Sequence, residues 1–204
     1  LWIRVLALQD ANGHVGIILS SDTLGISQSI YNNSCRSLKN RFDLNPDQIM
    51  LHSSHTHTGP VLRGALYDVY PLDAKQTQLI EEYSDLLEDQ IVAAVGEALS
   101  RLTPARVSGG QGIATFAVNR RNNSEGNVPK LRESRSLQGP VDHAVPVLAV
   151  RTTSNELMAV VFGYACHNTN LSFYQWSGDY AGFAQYALEE VHPDAVAMFY
   201  MGCG

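Results

Sequence analysis

Residues 1–9 are apolar and β-branched with polar interruptions, and residues 14–20 repeat the pattern. Between them lies Asp10-Ala11-Asn12-Gly13, whose Asn-Gly pair favours a tight turn, so a β-hairpin is predicted. In residues 25–42, Ile26, Ile30, Leu38 and Phe42 recur at helical spacing, and Asn45-Pro46 closes the helix. Residues 48–54 read as a short buried strand that runs into His55-Thr56-His57-Thr58-Gly59-Pro60. After a loop rich in Gly, Pro and Tyr, residues 77–102 carry Leu79, Ile80, Tyr83, Leu87, Ile91 and Val95 on one stripe, which predicts the longest helix.

Residues 106–118 look extended, and Gly109-Gly110 and Gly112 suggest a bulge or a close backbone approach. Residues 119–139 lack apolar periodicity and read as a long surface loop, a feature that is uncommon in compact domains and often functional. Strands at 143–151 and 157–166 follow, then a loop, a helix over 178–192 capped by Ser177 or Asp179, and a last buried strand at 195–201. Strands and helices alternate loosely with hairpins among them. The predicted fold class is therefore α/β, a mixed β-sheet core covered by helices, in one domain over residues 1–204.

Composition narrows the function. A formal net charge of -6, with no Lys/Arg cluster, argues against nucleic acid as a partner. No window approaches the roughly 20 apolar residues of a transmembrane helix. Cys35, Cys166 and Cys203 form no CxxC pair, which suggests incidental thiols. The chain opens with Leu1 inside an apolar segment and stops at Gly202-Cys203-Gly204 just after a hydrophobic run, so it is expected to be a piece cut from a longer protein.

Candidate chemistry falls at strand ends. On an extended backbone His55 and His57 project to one face, roughly 6–7 Å apart along the chain, with Thr56 facing away. Two converging imidazoles are a frequent zinc half-site. His52 lies on the opposite face and reads as a structural or supporting histidine. His167 follows the strand at 157–166 as His55 follows its own, and it could add a further ligand, with Asn168, Thr169 and Asn170 placed to orient it. Arg120, in Val118-Asn119-Arg120-Arg121-Asn122, is suited either to a developing oxyanion or to a surface ion pair. Trp176-Ser177-Gly178-Asp179-Tyr180-Ala181-Gly182 starts a helix whose free N–H groups could bind a polar group.

Taken together and in order, these segments resemble neutral/alkaline non-lysosomal ceramidases. Ser54-His55-Thr56-His57-Thr58-Gly59-Pro60 is similar to that family's Ser/Thr-His-Thr-His-Ser-Gly-Pro motif. Asn119-Arg120 resembles its Asn-Arg-Ser segment. His167-Asn168-Thr169, followed by Ser177-Gly178-Asp179-Tyr180-Ala181-Gly182, resembles its third-histidine segment and Ser-Gly-Asp-Asn-x-Gly. The resemblance covers most of the chain and identifies it as the N-terminal catalytic domain, truncated at both ends.

The resemblance implies an amide hydrolase that uses zinc and cleaves the N-acyl bond of ceramide or a similar N-acyl lipid. It implies that His55 and His167 are zinc ligands, that His57 hydrogen-bonds the metal's water and carries a proton, and that Arg120 holds the substrate carbonyl as it becomes an oxyanion. The remaining ligands, a Glu and a Tyr, are expected beyond Gly204, as is a Gly-Asp-x-Ser/Asn-Pro loop. A secreted, periplasmic or cell-surface location is implied too, with a substrate that can be presented at a membrane surface. Three departures sit beside the site: Val61-Leu62 where Gly-Gly is common, Arg121 after Arg120, and Tyr180 where Asn is usual. They leave open the same fold acting on a different amide or ester, and a metal-free binding homologue.

Overall fold

The structure, a computed structural model, describes every residue from 1 to 204. Strand β1 (Ile3–Gln9) pairs antiparallel with β2 (Val15–Ser21) across the predicted turn. There the Asp10 carboxylate accepts from the amides of Asn12 and His14 at 2.9 and 2.8 Å, and Gly13 takes φ 86°. This self-satisfied loop fixes the hairpin register.

The chain returns through helix α1 (Gln28–Phe42) to β3 (Ile49–Ser53), which lies parallel to β2, giving the sheet order β1-β2-β3. Helix α1 starts later than its apolar spacing predicts because the Ser27 hydroxyl accepts from the Ile30 amide and so sets the first turn. It ends where Asp43 adopts a left-handed φ of 58°. The long helix α2 (Ala74–Ser100) begins earlier than predicted, because Asp73 and Gln76 form a reciprocal capping box. Helix α2 covers β1, and α1 packs on α2. Their shared core contains Ile17, Leu19, Ile30, Leu38, Ile91 and Val95.

The second half forms another sheet. Strand β4 (Ala105–Ile113) leads to α3 (Val128–Glu133), and then β5 (Ala144–Thr152) and β6 (Leu157–Tyr164) extend an antiparallel meander. Helix α4 (Asp179–Val191) crosses over to β7 (Val196–Met201), parallel to β6, in the order β4-β5-β6-β7. The predicted loop at 119–139 thus holds a 3-10 turn at Glu125–Asn127 and the short α3. Six residues are too few to display a 3.6-residue period. The glycines of β4 make no bulge, since Gly109 and Gly112 sit in regular register opposite Leu148 and Val145. The irregularity falls instead at Val150/Arg151, between β5 and β6.

The fold is mixed α/β as expected, with two mixed sheets in place of one. They meet where β7 packs against β2 and β3. There the Ser20 hydroxyl donates to the Phe199 carbonyl at 2.5 Å. This junction brings the C-terminal ends of β3 and β6 alongside each other.

Candidate metal centre

Just past those strand ends, the two emerging segments form a single parallel bridge, Thr56 with Asn168. Both bridging side chains are fully buried. Neighbours of a bridging residue face the other way, so His55, His57 and His167 share the outward face. The ring centroids lie 5.0 Å apart for His55 and His57, 4.7 Å for His55 and His167, and 5.7 Å for His57 and His167. One ring nitrogen from each falls within 4.8 Å of the others. Sequence spacing brought two of these imidazoles together, and the fold brings in the third.

The donor set suits a transition metal such as zinc. His55 Nδ1 lies 2.6 Å from the Leu24 carbonyl. A carbonyl only accepts, so Nδ1 carries the proton and Nε2 keeps its lone pair for the cluster. The His55 amide donates to the Thr23 carbonyl at 3.1 Å, and the residue takes a left-handed φ of 61°. A non-glycine residue held there costs about 1–3 kcal/mol, which the two contacts to residues 23 and 24 hold in place.

His57 and His167 are exposed and His55 is half-buried, so solvent and ligand reach all three. Burial, and then the positive charges of His55 and His167, push His57 below the ordinary histidine value, while Asp179 opposes them. Burial and then His55 do the same to His167. Burial and then like charge thus favour the neutral, ligating form of the His57 and His167 rings.

The surroundings are tightly tied. The Thr56 and Thr58 hydroxyls donate to the Ser177 carbonyl at 2.7 and 3.0 Å, and the Ser177 amide donates to the Thr58 carbonyl at 3.0 Å. The amides predicted to bind a polar group at the start of α4 are taken by the chain's own side chains, Asp179 donating to Ser177 Oγ at 3.1 Å, Tyr180 to the Asp179 carboxylate and Ala181 to Asn168 Oδ1 at 3.3 Å. Asp179 is buried with φ 51°; its carboxylate accepts from the amides of Leu171 and Tyr180 at 2.8 and 2.6 Å, anchoring the loop after His167. The Tyr180 hydroxyl donates to the Cys166 carbonyl at 2.6 Å, and burial pushes its pKa far up. Tyr180 thus braces the strand end that delivers His167.

Of the other expected residues, His52 stands 5.5 Å edge-on from Tyr200 of β7, with Nδ1 buried and unpartnered, a structural placement. Thr169 and Asn170 are exposed, which leaves Asn168 alone among the three to organise the segment. Arg120 is exposed and its guanidinium bonds Glu125 at 3.2 Å. All three cysteines are free, with Cys35 buried, Cys166 half-buried and Cys203 exposed. The Leu24 carbonyl and the Asp179 anchor escaped the sequence pattern, because a backbone acceptor has no residue signature and Asp179 looked like an ordinary cap.

A cavity of about 330 Å³ opens beside His55 and His57. Its wall is mainly apolar, with Ile26, Val61, Leu62, Leu66 and Tyr70 among the lining side chains. Arg63, two residues after Val61, bonds Glu81 at 2.5 Å and Glu88 at 3.1 Å and also pairs with Asp85, which fastens the cavity loop to α2.

A family model described as neutral/alkaline non-lysosomal ceramidase, N-terminal, matches residues 1–198. The crystal structure of neutral ceramidase from Pseudomonas aeruginosa superposes with a TM-score of 0.76 at 22% identity, covering 97% of this chain and 32% of that one. A ceramidase complexed with C2 gives a TM-score of 0.76 at 24% identity, covering 97% of this chain and 31% of that one. At these identities the likeness establishes the shared fold, and the chain spans about a third of the length of each solved protein. No curated protein sequence matches it.

Proposed function

We propose that this chain, which belongs to the neutral/alkaline non-lysosomal ceramidase family, forms part of a zinc-dependent hydrolase that cleaves the amide bond of ceramide or a similar N-acyl lipid. The observation that carries the reading is the convergence of three imidazoles, two of which, His55 and His57, line an apolar cavity. His55 and His167 would hold the ion. Bound zinc supplies a water acidified from about 15.7 to about 7 and polarises a carbonyl.

The protein's own groups divide the remaining work. His57, exposed and held below the ordinary histidine value chiefly by burial, would accept a proton and return it to the leaving amine. The wall formed by Ile26, Val61, Leu62 and Leu66 takes up an acyl chain and excludes water from it. Arg120, on release from Glu125, would donate to the substrate oxygen as negative charge builds there. No helix is long and apolar enough to cross a membrane, and we place the protein's work at a secreted, periplasmic or cell-surface location.

Because Val61 and Leu62 themselves line the cavity, a second substrate reading has support: another acyl amide or ester on the same centre. Hydrolysis of N-acyl sphingosines compared with N-acyl amino acids and simple esters, with and without a chelator, tests both. Chelator-sensitive release of fatty acid from N-acyl sphingosine supports the first reading. Activity restricted to the other substrates supports the second, and retention of full activity without metal contradicts both.

A further inference from the structure

We propose that Asn168 is a positioning residue of this centre, setting the spacing between His55 and His57 on one segment and His167 on the other. The inference rests on the metal-site reading above. Asn168 is 0% exposed. Its Nδ2 donates to the Ser54 carbonyl, its Oδ1 accepts from the Ala181 amide at 3.3 Å, and its own carbonyl accepts from the His57 amide at 3.3 Å. One side chain and one carbonyl thereby grip the residue before His55, His57 itself, and the first turn of α4.

The geometry explains why this grip bears on the metal. Asn168 immediately follows His167, and its bridge partner Thr56 stands between His55 and His57. Any slip of one segment past the other changes both inter-segment histidine spacings at once. Metal–donor distances tolerate only about 0.2 Å, so a small slip is felt as lost affinity. Thr56 holds the same loop from the other side, through its bond to the Ser177 carbonyl at 2.7 Å. The clamp is also the only means in sight of satisfying the Ser54 carbonyl, whose residue is itself 0% exposed. Without the carboxamide, that carbonyl must move to find a donor.

The test uses the full-length protein with Asn168→Ala and, as a shape-preserving loosening of the facing segment, Thr56→Val, which removes the hydroxyl bond to the Ser177 carbonyl. Zinc affinity is read by competition with a fluorescent chelator, ligand geometry by the cobalt(II) absorption spectrum, and folding by circular dichroism and the metal-free thermal midpoint. We expect zinc affinity to fall about 10- to 100-fold for Asn168→Ala, in the same direction for Thr56→Val, with altered cobalt bands in both. If Asn168→Ala does not fold, the near-isosteric Asn168→Leu, which fills the same space without the bonds to Ser54 and Ala181, is read in its place. Wild-type zinc affinity and unchanged cobalt bands in the folded variants, with only a lowered thermal midpoint, would assign Asn168 to stability and overturn the proposal. Failure of the wild-type protein to bind either metal would instead bring down the metal-site reading, and this inference with it.

Discussion

Gly163 on β6 sits opposite Tyr200 on β7, and the tyrosine ring lies over it. A Cβ added at Gly163 would stand 2.5 Å from Cε2, 2.7 Å from Cε1 and nearer still to Cζ. Carbon atoms prefer about 3.5–4.0 Å, so the ring must retreat by about 1 Å. The ring also packs edge-on against His52, 5.5 Å away, which restricts where it can go. Forcing a group into such a space costs about 1–3 kcal/mol. Replacing glycine also stiffens the unfolded chain, which offsets about 0.4–1 kcal/mol. Gly163→Ala should therefore destabilise by about 0.5–2 kcal/mol, and at about 2–4 °C per kcal/mol for a chain of this size the thermal midpoint should drop by about 1–8 °C. Differential scanning calorimetry reads this directly. In a Tyr200→Ala background the obstacle is gone, so the same substitution should become neutral or slightly stabilising. Equal losses in both backgrounds would refute the reasoning, because the ring would then not be what the methyl group meets.

Other consequences are as direct. Arg63→Met leaves Glu81, Asp85 and Glu88 without their shared cation, so amide exchange in residues 62–70 should accelerate and KM for a long-chain substrate should rise more than kcat falls; unchanged exchange would show the loop is held by other means. Asp179→Ala frees the Leu171 and Tyr180 amides and should cost about 1–3 kcal/mol, read by urea denaturation, with faster proteolysis in residues 171–176. His57 and His167 are both depressed below the ordinary histidine value, with burial the leading cause. The unfolded chain therefore takes up protons first as pH falls through about 6.5. Metal-free stability should be fully present above that value and decline below it, and a denaturation midpoint that stays flat between about pH 8 and about pH 5 would contradict the assignment.

Much of this was legible in the sequence, for identifiable reasons. The β1–β2 hairpin was marked by Asn12-Gly13, and α2 by a stripe long enough to show its period. The α2 boundary was misjudged because a capping box at Asp73 outranks the start of the apolar stripe. Helix α3 stayed hidden because one and a half turns carry no periodicity. The division into two sheets depends on where β7 packs, which pairing patterns along the chain do not encode. At the site, strand geometry suggested that His55 and His57 face one way, the matching strand-end position of His167 offered it as a further ligand, and the resemblance then divided their roles. The bridge between Thr56 and Asn168, which makes the three one cluster, lies between residues more than a hundred positions apart in the chain. It carries no local signature. Asn168 consequently read as one of three interchangeable polar residues, and the fold singles it out.

The central claim, that these histidines hold a catalytic zinc ion, is tested most directly by measuring bound zinc by inductively coupled plasma mass spectrometry together with fatty-acid release from an N-acyl sphingosine. The proteins compared are full-length wild type, His55→Ala, His167→Ala and His57→Ala. The account predicts about one zinc per wild-type protein, loss of zinc and activity together in His55→Ala and His167→Ala, and retained zinc with activity reduced about 10²- to 10⁴-fold in His57→Ala. Retention of both zinc and activity in His55→Ala or His167→Ala would contradict it.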